Sequence, residues 1–294
     1  MSIPTHPAEF RVMSVFDTRL VIVAGKGGVG KTTVSAVLAR AAADSGRRVL
    51  LVELDGKPGL AALAPDLEVR SISAADALEE YLHEHGFRMI AKRLATTGVI
   101  DVVGTAAPGI HDLVVLGKVK QLERSGDWDV IVVDGPAAGH AVTFLTSAAG
   151  LRDAVRSGPV RAQADDVVAM LADPDRCQVV LVTVPETTPV NELLETADVL
   201  RNRVDVRLGP VVVNQVDDGP TVPDPATVSF GRTRTHVAEA VAAAEFRRTR
   251  RAGQAEELAR IRESAGSEQI LLLSAVATAA LHSSDIVALA ASVH

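Results

Sequence analysis

Short apolar runs, each stopping at a turn-forming residue, punctuate the chain. Leu20-Val21-Ile22-Val23-Ala24 enters a glycine-rich turn, Arg48–Glu53 stops before Asp55-Gly56, and Asp129–Val133 runs into Asp134-Gly135. Gln178–Val184, Gly209–Val213 and Gln269–Leu273 repeat the pattern. Unbroken apolar runs of this length predict strands buried on both faces, as in a parallel sheet. Between them the spacing turns helical, with Thr32–Ser45 closing at Gly46. Asp76–His85, Arg88–Thr97, Ile110–Glu123 and His236–Glu263 are further predicted helices, and Pro58 to Gly126 reads as mostly helical.

Strand, turn, helix and strand in that order make a βαβ crossover. The expected class is therefore α/β, a doubly wound, mostly parallel sheet with an inserted helical subdomain. Residues 1–18 read as a flexible tail and 19–294 as one domain, with helical subdomain segments at about 60–125 and 141–176. That material is expected over the carboxyl ends of the strands.

The turn after the first strand carries the chemistry. Gly25-Lys26-Gly27-Gly28-Val29-Gly30-Lys31-Thr32-Thr33 has the Walker A spacing G-x-x-x-x-G-K-[ST], with an apolar strand before it and a helix after it. Such a loop turns its backbone N–H groups toward a phosphate, and the helix start adds a positive dipole. Lys31 supplies a charge between β- and γ-phosphates, and Thr32 a hydroxyl for Mg²⁺. Lys26, a second lysine inside the loop, makes the motif the deviant form, GKGGVGKT.

Two carboxylates follow at strand ends. Asp55 closes the second strand, where it can orient the water that attacks a γ-phosphate. Glu53 is its rival, set behind because it alternates with Val52 and Leu54. Asp134 ends the third strand as a Walker B carboxylate holding Mg²⁺ through a water. Gly135 to Gly139 then read as a flexible segment able to sense the γ-phosphate, with His140 a candidate switch residue.

Composition narrows the partners. A net charge of −7 disfavours a general nucleic-acid binder, although Arg247, Arg248, Arg250 and Arg251, with Arg232 and Arg234, form a local basic group. The single cysteine, Cys177, allows neither a disulfide within the chain nor a Cys-rich metal site. The N-terminus lacks the apolar run of a signal peptide, and the apolar stretch near Leu271–Leu281 is too short to span a bilayer. A cytoplasmic protein, at most peripheral to a membrane, is expected.

Taken together, these motifs resemble the Get3/ArsA family within the SIMIBI class of P-loop ATPases, closest to its actinobacterial members. The likeness runs in order through Gly25–Thr33, Asp55, Pro108-Gly109-Ile110 and Asp134-Gly-Pro-Ala-Ala-Gly139-His140. It continues in Val184-Pro185-Glu186, Glu192 and Val213-Asn214-Gln215. It implies ATP and Mg²⁺ as cofactors and slow hydrolysis that switches a dimer between conformations. It also implies that Lys26 reaches the partner's nucleotide and that Asn214 hydrogen-bonds adenine. The dimer would be a homodimer or a heterodimer with a homologous subunit, acting on a protein or small-molecule effector. Departures are the switch sequence Asp55-Gly-Lys-Pro in place of D-P-A-H and the lack of both a zinc-binding C-x-x-C and a cysteine cluster for arsenite. A MinD/ParA-like positioning ATPase is the first rival; the end of the chain, LHSSDIVALAASVH, lacks the basic residues of a membrane-targeting helix. A small-molecule ligase on the same core is the second.

Overall fold

The structure is a computed structural model. It describes residues 15–54, 59–84, 109–221, 237–265 and 270–292. Asp55, Pro108, Arg232, Arg234 and the helix predicted over 88–97 lie outside the described residues.

The strands are β1 Leu20–Gly25, β2 Val49–Leu54, β3 Glu68–Ile72, β4 Val130–Ala137, β5 Cys177–Thr183, β6 Val211–Val216 and β7 Ile270–Ser274. The first helices are α1 Lys31–Asp44, α2 Leu60–Leu63, α3 Ala74–Glu84 and α4 Ile110–Ser125. They are followed by α5 Ala138–Ala154, α6 Pro159–Ala172, α7 Thr187–Arg203, α8 Val237–Ala265 and α9 Ser283–Ala291. The seven strands form one sheet in the order β3-β2-β4-β1-β5-β6-β7, and every pairing is parallel. The expected α/β doubly wound sheet is what the chain forms.

Alternate residues of each strand feed two separate cores. Leu20, Ile22, Leu50, Val52, Ile131, Val133, Val179 and Leu181 pack beneath α4, α5, α6 and α7. Val21, Val23, Leu51, Val130, Val132, Val180 and Val182 pack against α1 and α9. Each large side chain so buried contributes about 1.5–3 kcal/mol relative to exposure. Because both faces are covered, the central strands read as continuous apolar runs, and a one-residue slip would put each side chain into the wrong core.

One element corrects the sequence reading. Residues 58–126 are not helical throughout, because β3 adds an edge strand to β2, with Leu50 opposite Glu68 and Leu54 opposite Ile72. Of its five residues only Ile72 is buried. Glu68, Arg70 and Ser71 face water, as expected of a charged edge that resists further pairing. So polar a strand has no apolar period to detect.

The long helix α8 buries its apolar side chains in its second half. Leu258 and Ile261 are buried, whereas Phe246, in the preceding turns, is 70% exposed. Gln254 accepts from the N–H of Asp217, Thr187 donates to Glu257, and Arg260 reaches Asn191 on α7. The basic group is partly committed here. Arg247 makes two hydrogen bonds to Asp217, at 2.7 and 2.6 Å, and Arg251 donates to the carbonyls of Gly219 and Pro220. No helix among the described residues is long and apolar enough to cross a membrane.

The Arg247 guanidinium, through hydrogen bonds first, holds the Asp217 carboxyl down at about 2. A carboxyl lowered in the folded chain stabilises it above the unfolded value of about 3.9, and that contribution disappears as pH falls toward the folded value. Arg247→Gln should therefore lower stability at pH 7, with the deficit shrinking between about pH 4 and pH 2. Urea denaturation of both proteins across that range measures it.

Candidate phosphate-binding site

The register of three neighbouring strands builds the site. Val23 of β1 stands opposite Asp134 of β4, and Asp134 in turn stands opposite Glu53 of β2. The end of β1, the loop Gly25–Gly30 and two carboxylates are thereby brought to one edge, at the carboxyl ends of the strands where doubly wound sheets bind ligands.

Helix α1 starts at Lys31 behind Gly30, with no side-chain cap and no acidic residue in its first turn. Its first N–H groups have no intrahelical partner, which leaves an end of positive potential facing the loop. Lys31 folds back so that its Nζ lies 3.2 Å from the Lys26 carbonyl. Thr32 donates to Asp134 Oδ2 at 2.7 Å, and Ser35, one turn further along α1, donates to Oδ1 at 3.2 Å. Burial pushes the Asp134 carboxyl above its usual range and Glu53 adds to the push, while the two hydroxyls and Lys31 oppose it.

Glu53 is 6% exposed. Its Oε1 accepts from the N–H of Gly59 at 2.9 Å and of Leu60 at 3.4 Å, so it ties down the chain beyond the segment that carries Asp55. The alternation that placed Glu53 behind Asp55 puts it on the α1 side of the sheet with Leu51, the side Asp134 also faces. Asp55 itself lies outside the described residues.

A cavity of about 620 Å³ opens beside these groups. Gly27, Gly28, Lys31, Thr32, Glu53 and Asp134 line one side; His111, Asp112, His140, Thr143 and Phe144 line the other. A glycine loop, a helix start, one lysine and a paired hydroxyl and carboxylate form a donor set suited to a phosphate chain with its divalent cation. His111 Nε2 is sealed from solvent and has no hydrogen-bond partner, a polar atom in the cavity wall still unsatisfied.

Two predicted residues and one predicted segment are placed as follows. Lys26 is ion-paired to Glu192 of α7 within the same chain. Asn214 is buried in β6 and donates to the Val29 carbonyl at 2.9 Å. Gly135 to Gly139 are not an irregular loop, since β4 continues to Ala137 and α5 begins at Ala138. Gly135 permits this by lying so close to β1 that a Cβ would sit 2.5 Å from the Val23 carbonyl oxygen. Ser35 and His111 went unnoticed in the sequence. Ser35 stands three residues beyond Thr32 on one helix face, a spacing that would have revealed it. His111 had no such signal.

A phosphate loop on the central strand, with a half-buried carboxylate on the neighbouring strand bonded to the loop threonine, defines the P-loop NTPase class. Residues 18–157 match the profile of the anion-transporting ATPase family. Over these residues the chain is similar to the ArsA-type ATPases. ATPase BagA of Mycobacterium tuberculosis is 33% identical over 222 residues, which cover 67% of this chain and 65% of the relative. An arsenical pump-driving ATPase of Escherichia coli is 29% identical over 179 residues, covering 59% of this chain and 30% of the relative. A putative arsenical pump-driving ATPase of Aquifex aeolicus is 28% identical over 149 residues, covering 44% and 37%. The match thus spans just under two thirds of the mycobacterial relative's length.

Loop geometry makes a contrast that mutation can read. A Cβ on Gly25 would enter the backbone carbonyl of Val182 on β5, whereas one on Gly27 would meet nothing within 4 Å. Gly25→Ala should cost about 1–3 kcal/mol of stability, the usual penalty of overpacking. Gly27→Ala should stay within about 0.5 kcal/mol of wild type. Chemical denaturation of the two variants in parallel tests the difference.

Proposed function

We propose that this protein hydrolyses ATP with Mg²⁺ and uses the reaction to switch a dimer between two conformations. The hydrogen bond from Thr32 to Asp134, beside Lys31 at the wall of the cavity, carries the reading. It joins the loop hydroxyl to the strand-end carboxylate, the pair that a phosphate-bound divalent cation requires. Thr32 would hold Mg²⁺ directly and Asp134 through a water; when bound, the ion neutralises charge on the β- and γ-phosphates. Gly25 to Thr33 orient the phosphate chain through backbone N–H groups, and Lys31 compensates its charge. Asp55 orients the attacking water, and Glu53 fixes the backbone that follows it.

Lys31→Ala should weaken Mg·ATP binding at least about tenfold, because no other cation lines the described wall of the cavity. Asp55→Asn should bind ATP and fail to hydrolyse it. Calorimetry and phosphate release measure the two steps separately. Undiminished turnover by Asp55→Asn would remove that residue from the mechanism and make Glu53 the next to test.

The dimeric part of the proposal rests on Lys26. In the single chain its ammonium is paired to Glu192, with both side chains partly exposed, 34% and 40%. An ion pair so accessible to water is worth about 0–1 kcal/mol, so a nucleotide phosphate offered by a second subunit can outcompete it. The partner is a second copy or a homologous subunit, and the effector is a protein or small molecule acted on when the dimer opens. Glu192→Gln should increase association in a non-hydrolysable ATP analogue, and Lys26→Ala should abolish it. Light scattering decides, with and without a homologous subunit. Wild-type protein that stays monomeric throughout yet turns over ATP at full rate would rule out the partner-reaching lysine.

A further inference from the structure

Ahead of its buried turns, helix α8 shows solvent a surface that is ordered along its length. Glu239, Ala243, Phe246 and Arg250 are all exposed, Phe246 to 70%. They stand four, three and four residues apart, a spacing that places them within about 60° of arc on one stripe of the helix. Arg247 and Arg251, which bind Asp217, Gly219 and Pro220, lie about a quarter-turn to one side. The spacing reads the same in both directions, and the residue types do not. An acid and a small residue stand before its midpoint, a large ring and a base after it. Such a stripe is complementary to itself reversed.

We propose that this stripe of α8 docks a second copy of the chain, the two helices running antiparallel about a two-fold axis between Ala244 and Glu245. In that register Glu239 faces Arg250 of the partner subunit, and the Phe246 ring covers Ala243 of the partner subunit. The two-fold axis makes each contact twice, as a self-complementary patch requires. A parallel pair would instead set Glu239 against Glu239 and Arg250 against Arg250, and like charges repel. Glu239 and Glu245, set among the apolar residues, also oppose an anionic lipid surface, so a protein partner fits better than a membrane. The stripe is roughly 17 Å long and about 10 Å wide, so the pair covers a few hundred Å², well below the roughly 1,200 Å² of a stable complex. The helix pair therefore does not hold two chains together by itself. It adds to the dimer contact through Lys26 proposed above, on which this inference rests. The base of α8 lies beside that contact, since Arg260 donates to Asn191, the neighbour of the Glu192 that holds Lys26. Subunits already joined there meet the second contact at high effective concentration.

The test is a charge swap read by association. Light scattering measures dimerisation at low ionic strength with Mg²⁺ and a non-hydrolysable ATP analogue. Phe246→Ala should weaken it about tenfold. Glu239→Arg and Arg250→Glu should each weaken it about threefold, and the double variant should recover wild-type affinity because the swapped pair forms again. Added salt should shrink the single-variant losses. All these side chains are exposed, so the variants keep the fold, and unchanged ATP affinity checks it. Wild-type dimerisation by Phe246→Ala, or a double variant weaker than either single change, would overturn the inference and leave the Lys26 dimer standing. Vesicles of anionic lipid that bind wild type and lose Phe246→Ala, with association unchanged, would assign the stripe to a membrane instead. Wild-type chains that never associate would overturn the dimer reading and this inference with it.

Discussion

The register of β1 between its two neighbours is the constraint on which the rest depends. β1 is paired to β4 on one side and β5 on the other, with both of its faces buried. Its alternate residues belong to different cores, so the strand cannot slide without exchanging Ile22 and Val23 between them. That fixes where Gly25 stops, and Gly25 in turn is wedged against Val182. The loop, the start of α1 and the opposition of Val23 to Asp134 all follow from this single alignment.

A cost is concentrated at the same edge. Two carboxylates, Glu53 and Asp134, share one rung of the sheet, the first buried and the second half-buried. The chain manages them by different means. Glu53 is given backbone donors from the start of α2, and Asp134 receives two hydroxyls from α1. Burying charge is tolerable only with such partners. The arrangement leaves the carboxylate end of the site poor in positive charge.

Most of the fold was legible because buried parallel strands announce themselves as apolar runs. β1, β2, β4, β5, β6 and β7 fall within a few residues of their expected positions. β3 escaped because edge pairing is supplied by β2's backbone and leaves no side-chain pattern. The loop was legible for another reason: glycine spacing is a direct consequence of backbone geometry. Side-chain partners chosen in three dimensions were not legible. Glu192 for Lys26 and Val29 for Asn214 join residues whose pairing depends on helix rotation and strand order. The shared side of Glu53 and Asp134 was missed for the opposite reason, since alternation was applied without noticing that Asp134 obeys the same parity.

Helix α8 carries a mechanical consequence. Its hydrogen bonds to the body begin at Arg247, while its first residue is Val237, so the stretch ahead of them is roughly 15 Å long at 1.5 Å per residue. The anchor bridges the base of α7 and the segment after β6, which flank the phosphate loop through Glu192 and Asn214. A rigid rod clamped at one end multiplies angle into displacement. A tilt of about 10° at Arg247 sweeps the far end through roughly 3 Å, so motion too small to notice at the hinge is magnified at the tip.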